Sequence, residues 1–254
     1  MVVPEVNVAV LGPVRISGAA LPFSRAAARE LVVYLALHRQ AVRTEIWAEA
    51  LWPTRPVSSS TLHSAASDAR RSLGRASDGS EHLPRGGRRL QLGAFVDTDV
   101  ERFARLASGS DPTEWCAALE LIRGPLFDDL TLSDWTVFDG TQAHLESMVV
   151  GTALKGAGRA LQQGNGSDAE WMVRRALRIS PYDERLYRDL LRAAEAQGNR
   201  VRLRATMAEL LSLVTETGDP RDGTELHPPS SAFHPRTVAL YRELTHGLAP
   251  AAGG

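Results

Sequence analysis

Three helical patterns lie between Ser24 and Gly74, a basic Gly-Gly turn follows them, and a tripeptide recurs at a separation of 34 residues, from Gln163 to Gln197. Together they predict a mainly α chain. The first two observations point to an N-terminal winged helix-turn-helix with small β-sheets. The third points to an all-α tetratricopeptide-like helical bundle behind it. On this basis residues 1–95 are expected to form a DNA-binding domain, residues 96–248 a helical domain, and residues 249–254 a disordered tail.

The stretch Val6–Ile16 is β-branched and alternates imperfectly, with a Ser17-Gly18-Ala19-Ala20 turn before Leu21-Pro22-Phe23, and so predicts a small β-meander. Ser24 is placed to cap a helix over Arg25–His38 whose Ala28, Leu31, Val32 and Leu35 share a face. Thr44 is placed to cap a second helix through Ala50, with Ile46, Trp47 and Leu51 inward and Pro53 ending it. A third helix is expected from Ser58 to Leu73, stopped by Gly74.

On that third helix Leu62, Ala65, Ala66, Ala69 and Leu73 recur at helical spacing and are expected to face the core. Ser60, Ser64, Ser67 and Arg71 then lie opposite. His63 and Arg70 form one shoulder, Thr61 and Asp68 the other. Small hydroxyl side chains with arginine suit close approach to a major groove, where hydroxyls reach phosphates or bases and arginine reads guanine. Two short strands are expected around Gly86-Gly87, and Arg85, Arg88 and Arg89 on that turn suit an adjacent phosphate backbone or minor groove. A solvated loop with arginines for solubility is the plainer reading. The turn's place after three helices in this order argues against it, and residues 1–95 hold 12 Lys+Arg against 7 Asp+Glu although the whole chain carries a net charge of −1, which marks this half as the place for a polyanion partner.

In the second half, Gln163-Gly164-Asn165 returns as Gln197-Gly198-Asn199, with Ala160 matched to Ala194 and Leu177 to Leu211. Helices are expected over Asp99–Ala107, Thr113–Arg123, Gln142–Gln163, Asp168–Ile179, Glu184–Gln197, Arg200–Thr215 and Pro235–His246, with a Pro-, Ser- and Gly-rich loop over Gly218–Phe233. Stacked helix pairs offer a concave surface suited to protein contacts. Trp47, Trp52, Trp115, Trp135 and Trp171 read as core anchors, and the single Cys116 as core filler.

Nothing in the pattern points to catalysis. No metal-ligand spacing, nucleophile motif or Gly-rich phosphate loop is present in the sequence. Asp128, Asp129, Asp134 and Asp139 follow no ligand spacing and read as solvated. No enzyme activity, cofactor or metal is therefore expected. With no long apolar run and no signal peptide, the chain reads as soluble and cytoplasmic, without membrane contact.

Several motifs carry a resemblance. Leu11-Gly12-Pro13-Val14, Leu35-Ala36-Leu37-His38, Ala50-Leu51-Trp52-Pro53 and Ala69-Arg70-Arg71-Ser72-Leu73-Gly74 are similar to the DNA-binding domain of SARP-type regulators. Arg123-Gly124-Pro125-Leu126-Phe127, Pro181-Tyr182-Asp183-Glu184-Arg185-Leu186-Tyr187 and Ala239-Leu240-Tyr241-Arg242-Glu243-Leu244 resemble the bacterial transcriptional activator domain, BTAD. The resemblance implies an activator that binds promoter repeats in double-stranded DNA and contacts RNA polymerase or another protein through its helical repeats; a homodimer is compatible with it. The Pro181–Leu186 stretch is also similar to the C-terminal portion of larger membrane-anchored, LysM-containing members, of which this chain would be the cytoplasmic part. Two departures stand out: such helices carry a Gln or similar base reader near His63, and an exposed basic residue where this one has Asp68, an aspartate that, facing phosphates, is expected to act as an electrostatic brake. The rival function is a protein-interaction module whose winged helix no longer binds DNA.

Overall fold

A computed structural model describes residues 3–54, 56–130, 134–214 and 233–246. The expected loop Gly218–Phe233 falls almost entirely outside the described residues, as does the expected tail 249–254. Two compact units are formed: residues 1–108 with 121–145, and residues 109–120 with 146–254.

The first unit starts from strand β1 (Val6–Ala9), antiparallel to β2 (Arg15–Ser17) and parallel to β5 (Val96–Thr98) in the order β2-β1-β5. The expected meander is thus only half realised. Leu21-Pro22-Phe23 forms no strand, because Pro22 has no N–H for a ladder and the Leu21 N–H donates to the Ser72 carbonyl at 3.0 Å. The parallel pairing of β1 with β5 makes the intervening helices one long crossover.

Those helices are α1 (Ala26–Leu37), α2 (Thr44–Leu51) and α3 (Ser59–Leu73), close to the expected spans. Their caps differ. Arg25, not Ser24, precedes α1, without a side-chain cap. Arg43 precedes α2, and the Thr44 hydroxyl donates instead to the Arg88 carbonyl at 3.1 Å. Helix α1 is more central than a one-faced amphipathic helix: Leu31, Val32, Val33, Tyr34, Leu35 and Ala36 are all buried, as befits a helix that is apolar around most of its girth. Trp47 and Leu51 pack inward as expected, but Ile46 stays 42% exposed.

A second correction concerns the wing. Strand β3 (Val42–Arg43) pairs antiparallel with β4 (Arg89–Leu90), so the partner of the strand after Gly86-Gly87 comes from before α2. Residues 83–85 form no strand; Pro84 removes a donor there, and a turn closes from Arg89 N–H to the Gly86 carbonyl at 3.1 Å.

Helix α4 (Asp99–Ala107) follows β5, and its first side chain is turned inward against the end of β1. Asp99 is buried; its Oδ1 accepts from the Val10 N–H (2.8 Å), its Oδ2 from the Leu11 N–H (2.9 Å), and Arg123 Nη2 lies 3.4 Å from Oδ2. Asp129, expected to be solvated, takes the Val14 N–H and Arg29 Nη2, both at 2.6 Å. Asp139 approaches His38 Nε2 at 3.4 Å, and all four, Asp128, Asp129, Asp134 and Asp139, are exposed as expected.

In the second unit, α5 (Pro112–Glu120) joins α8 (Gly166–Leu177), α9 (Glu184–Ala196), α10 (Arg200–Val214) and α11 (Pro235–His246). Helix α7 (Thr141–Gln162) begins in the first unit and runs mostly in the second. The recurring tripeptide now has a mechanism. Gly164 and Gly198 take φ of 74° and 62° to end one helix, a left-handed turn that glycine adopts without cost. The following asparagines donate their N–H back to the Ala160 and Ala194 carbonyls, both at 2.9 Å. Asn165 and Asn199 Oδ1 then accept from the Asp168 and Arg202 N–H groups, starting the next helix. Cys116 is half-buried, and among the tryptophans Trp47, Trp115 and Trp135 are buried whereas Trp52 and Trp171 are half-buried.

A short helix α6 (Trp135–Phe138) lays Trp135 against Tyr34 in the first unit, with ring centroids 4.8 Å apart. Trp135 Nε1 donates to Glu30 Oε1 at 3.1 Å. Burial pushes the Glu30 carboxyl up to about 7, from 4.5, against that hydrogen bond. The folded state thus holds this proton more tightly than the unfolded chain, so the stability from this site is complete below about pH 4.5 and is lost as pH rises through 7. Glu30→Gln is expected to match the wild type in acid and exceed it above pH 7 by about 3 kcal/mol, measured by urea unfolding; an equal difference at pH 5 and pH 8 refutes this.

Candidate nucleic-acid interface

Helix α3 owes its position to both of its ends. Ser58 Oγ accepts the Thr61 N–H at 3.3 Å, and Gly74 closes the other end with φ 77°. Ala65, Ala69 and Leu73 are buried, with Ser72. Leu62 and Ala66, expected in the core, are only half-buried. They line a groove of about 480 Å³ between α3, the start of α2 and the wing, together with His63, Arg85 and Arg88. Both residues sit on the flank where α3 turns from the core toward the wing.

Of the ten residues singled out from the sequence, Ser60, Thr61, His63, Ser67 and Arg71 are exposed on α3 and Ser64 is half-buried. Arg85, Arg88 and Arg89 are exposed on the wing. Arg88 is 92% exposed at its side chain, with Glu45 Oε1 4.0 Å away. The wing's base is held by its backbone: the Arg88 carbonyl accepts from both the N–H (2.9 Å) and the hydroxyl (3.1 Å) of Thr44.

Arg70 stands apart. Its Nε donates to the Leu83 carbonyl at 2.9 Å and lies 3.7 Å from Glu81 Oε2, and its side chain is 17% exposed. Burial lowers its pKa, partly offset by Glu81. This arginine ties α3 to the segment leading into the wing.

Asp68 also differs from expectation. It does not project freely from the helix: its side chain is only 15% exposed and lies between Arg25 Nη1, 3.1 Å from Oδ2, and Arg71 Nη1, 3.2 Å from Oδ1. Three basic residues escaped the sequence reading: Arg25, Arg43 and Arg75, the last 66% exposed at its side chain and lining a hollow with Ser67, Arg71 and Arg85. Arg25, before α1, lines a shallow hollow with Ser60, Thr61 and Ser64. Arg43 sits opposite Arg89 in the β3–β4 pair. None has a signal in helical periodicity, because all three lie just outside the observed helices.

The geometry is that of a winged helix with hydroxyls and guanidinium groups along one helix and a basic wing beside it. Residues 93–205 match the family model described as bacterial transcriptional activator domain. That match lies on the part of the chain where the Arg123–Phe127 and Pro181–Tyr187 motifs resemble the same domain. Among solved structures, Mycobacterium tuberculosis EmbR, in complex with a low affinity phosphopeptide, shares the fold with a TM-score of 0.64 at 20% identity. The alignment covers 96% of this chain and 65% of the EmbR chain. No curated protein matches the chain.

The wing arginines lie on a turn anchored through its backbone, so their side chains can be removed without loosening it. Arg85→Ala, Arg88→Ala and Arg89→Ala combined should weaken binding to any duplex DNA by a similar factor, roughly tenfold or more at low salt, and flatten the salt dependence by about two to three phosphates' worth. Titrations at several salt concentrations check this; loss at one sequence only, or an unchanged slope, removes the wing from the interface.

Proposed function

We propose that the chain is a DNA-binding transcriptional regulator that sets α3 in the major groove and the wing on the neighbouring backbone. The observation that carries this reading is the exposed face of α3, with Ser60, Ser67 and Arg71 presented beside the exposed Arg85, Arg88 and Arg89. Short hydroxyls let the helix sink close to base edges, while the guanidinium groups supply attraction that does not depend on sequence. Residues 1–95 serve as the DNA-binding domain and residues 96–248 as the activator domain. Promoter repeats bound by two copies follow naturally from a single winged helix per chain. The protein works in the cytoplasm, where that DNA is.

The test begins with salt-dependent binding to random duplex DNA and selection of a preferred site. Ser64→Glu with Arg71→Glu places carboxylates against phosphates and should abolish binding to the selected site, with native circular dichroism. Retained affinity overturns the placement of α3.

The second unit supports the partner half of the reading. Arg185, Arg188 and Arg192 occur at i, i+3 and i+7 along α9, and with Arg236 of α11 they line a groove of about 500 Å³ that also holds Leu154 and Leu240. Asp189 pairs with Arg192 at 2.7 Å, and Arg188 donates to the Thr237 hydroxyl at 2.9 Å. An acidic segment with apolar residues, on RNA polymerase or another protein, complements this surface. Arg192→Glu with Arg236→Glu should weaken binding of RNA polymerase holoenzyme at least tenfold while leaving DNA affinity unchanged; equal polymerase binding by wild type and variant assigns the contact elsewhere. If polymerase contact persists while the wild type ignores DNA, the chain is an interaction module with a degenerate winged helix.

A further inference from the structure

We infer that Arg25 is a further DNA-contacting residue and that Asp68 is the positioning residue that sets Arg25 and Arg71 for the duplex, rather than a brake on binding. The inference rests on the DNA-binding reading and specifies its geometry. Three facts carry it. First, Asp68 Oδ2 is shut off from solvent, accepts no hydrogen bond and lies 3.1 Å from Arg25 Nη1 as an ion pair, while Oδ1 accepts from Arg71 Nη1 at 3.2 Å. Each oxygen thus faces a different arginine, one from before α1 and one from α3. Second, the exposures run in opposite directions: 15% for the aspartate side chain, 63% for Arg25 and 67% for Arg71. The negative charge is covered and the two positive groups remain outside. Third, Arg25 lines the hollow beside Ser60, Thr61 and Ser64, where hydroxyl donors and a guanidinium fork together suit a backbone phosphate.

The physical consequence is a sign. A guanidinium carries five N–H donors, so Arg71, which gives one to Asp68, and Arg25, which meets it only as a charge, both keep donors for phosphate or a base edge. Holding a long side chain in one rotamer before binding removes an ordering cost from association. The trio carries a net charge of +1, and its outer surface is cationic. Under a brake, neutralising Asp68 strengthens all DNA binding; under positioning, it releases two arginines and blurs specific binding even though it removes a repulsive charge.

The experiment uses the full chain, a duplex selected by the wild type from a random library, and an unrelated duplex of the same length. Asp68→Asn is expected to lose about fivefold affinity for the selected site while random-duplex affinity holds or rises, so the specificity ratio falls. Asp68→Glu should recover part of that ratio. Arg25→Ala should lose about tenfold at the selected site and flatten the salt slope by about one phosphate, and Arg25→Lys should keep the slope but not the full affinity, because an ammonium lacks the fork. In the Asp68→Asn background, Arg25→Ala should cost markedly less than in the wild type. Thermal unfolding of every variant separates these losses from destabilisation. Parallel tightening on both duplexes by Asp68→Asn, or an Arg25→Ala slope equal to the wild type's, overturns the inference while leaving DNA binding in place. Failure of the wild type to bind any duplex with salt dependence overturns the DNA reading itself, and this inference with it.

Discussion

The carboxylate of Asp99 is the junction on which the first unit depends. It receives the N–H groups of Val10 and Leu11, which have just left the β1 ladder, and it meets Arg123, whose Nη1 also donates to the Pro13 carbonyl at 2.6 Å. Burial raises the pKa of Asp99, while the two amides and Arg123 pull it back. A carboxylate in such a place must be paired, and the groups it pairs have no water to fall back on. Without it, each orphaned buried amide costs about 1–3 kcal/mol, and the end of β1 is no longer bound to the start of α4. Because β5 lies parallel to β1, the whole run from α1 through the wing is a crossover whose two ends this contact closes.

That closure matters for the surface it presents. Charges on the candidate interface divide into those committed to structure and those left free. Arg70 is turned under, holding Leu83 and Glu81 at the root of the wing. Asp68 is covered by two arginines. Outward remain the hydroxyls of α3, Arg25 beside Ser60 and Ser64, Arg71 and Arg75 lining a hollow with Arg85, and the exposed Arg88 and Arg89 of the wing. The near-zero total charge of the chain therefore conceals a locally cationic face, and local fields act within about 10 Å at ordinary salt.

The second unit is built on a different economy. Two of its helix junctions, α7–α8 and α9–α10, repeat one device, a glycine in the left-handed region followed by an asparagine that caps the next helix, so these corners are set by local chemistry at Gly164-Asn165 and Gly198-Asn199. Local rules of this kind are the ones a sequence displays openly. The 34-residue recurrence was legible because each residue of the motif acts on atoms within a few positions of itself.

The same distinction explains what else was legible. By itself the sequence determined the helix order, the spans of α1 to α5 and α7 to α11 to within two or three residues, the stop at Gly74 and the buried series Ala65, Ala69 and Leu73, since periodicity, caps and glycine act locally. It also set out the hydroxyls of α3 and the arginines of the wing as a group. Only the tertiary structure decided the partner of β4, because β3 lies more than forty residues earlier and a two-residue strand has too little pattern to announce its pairing. It decided that Leu62 and Ala66 flank a groove, that Thr44 serves the wing instead of its own helix, and that Arg70 is spent on packing. Above all it decided the setting of Asp68: an aspartate on a helix reads as exposed until Arg25, forty-three positions away in sequence, is brought against it. Charges act through space, and the sequence lists them only along the chain.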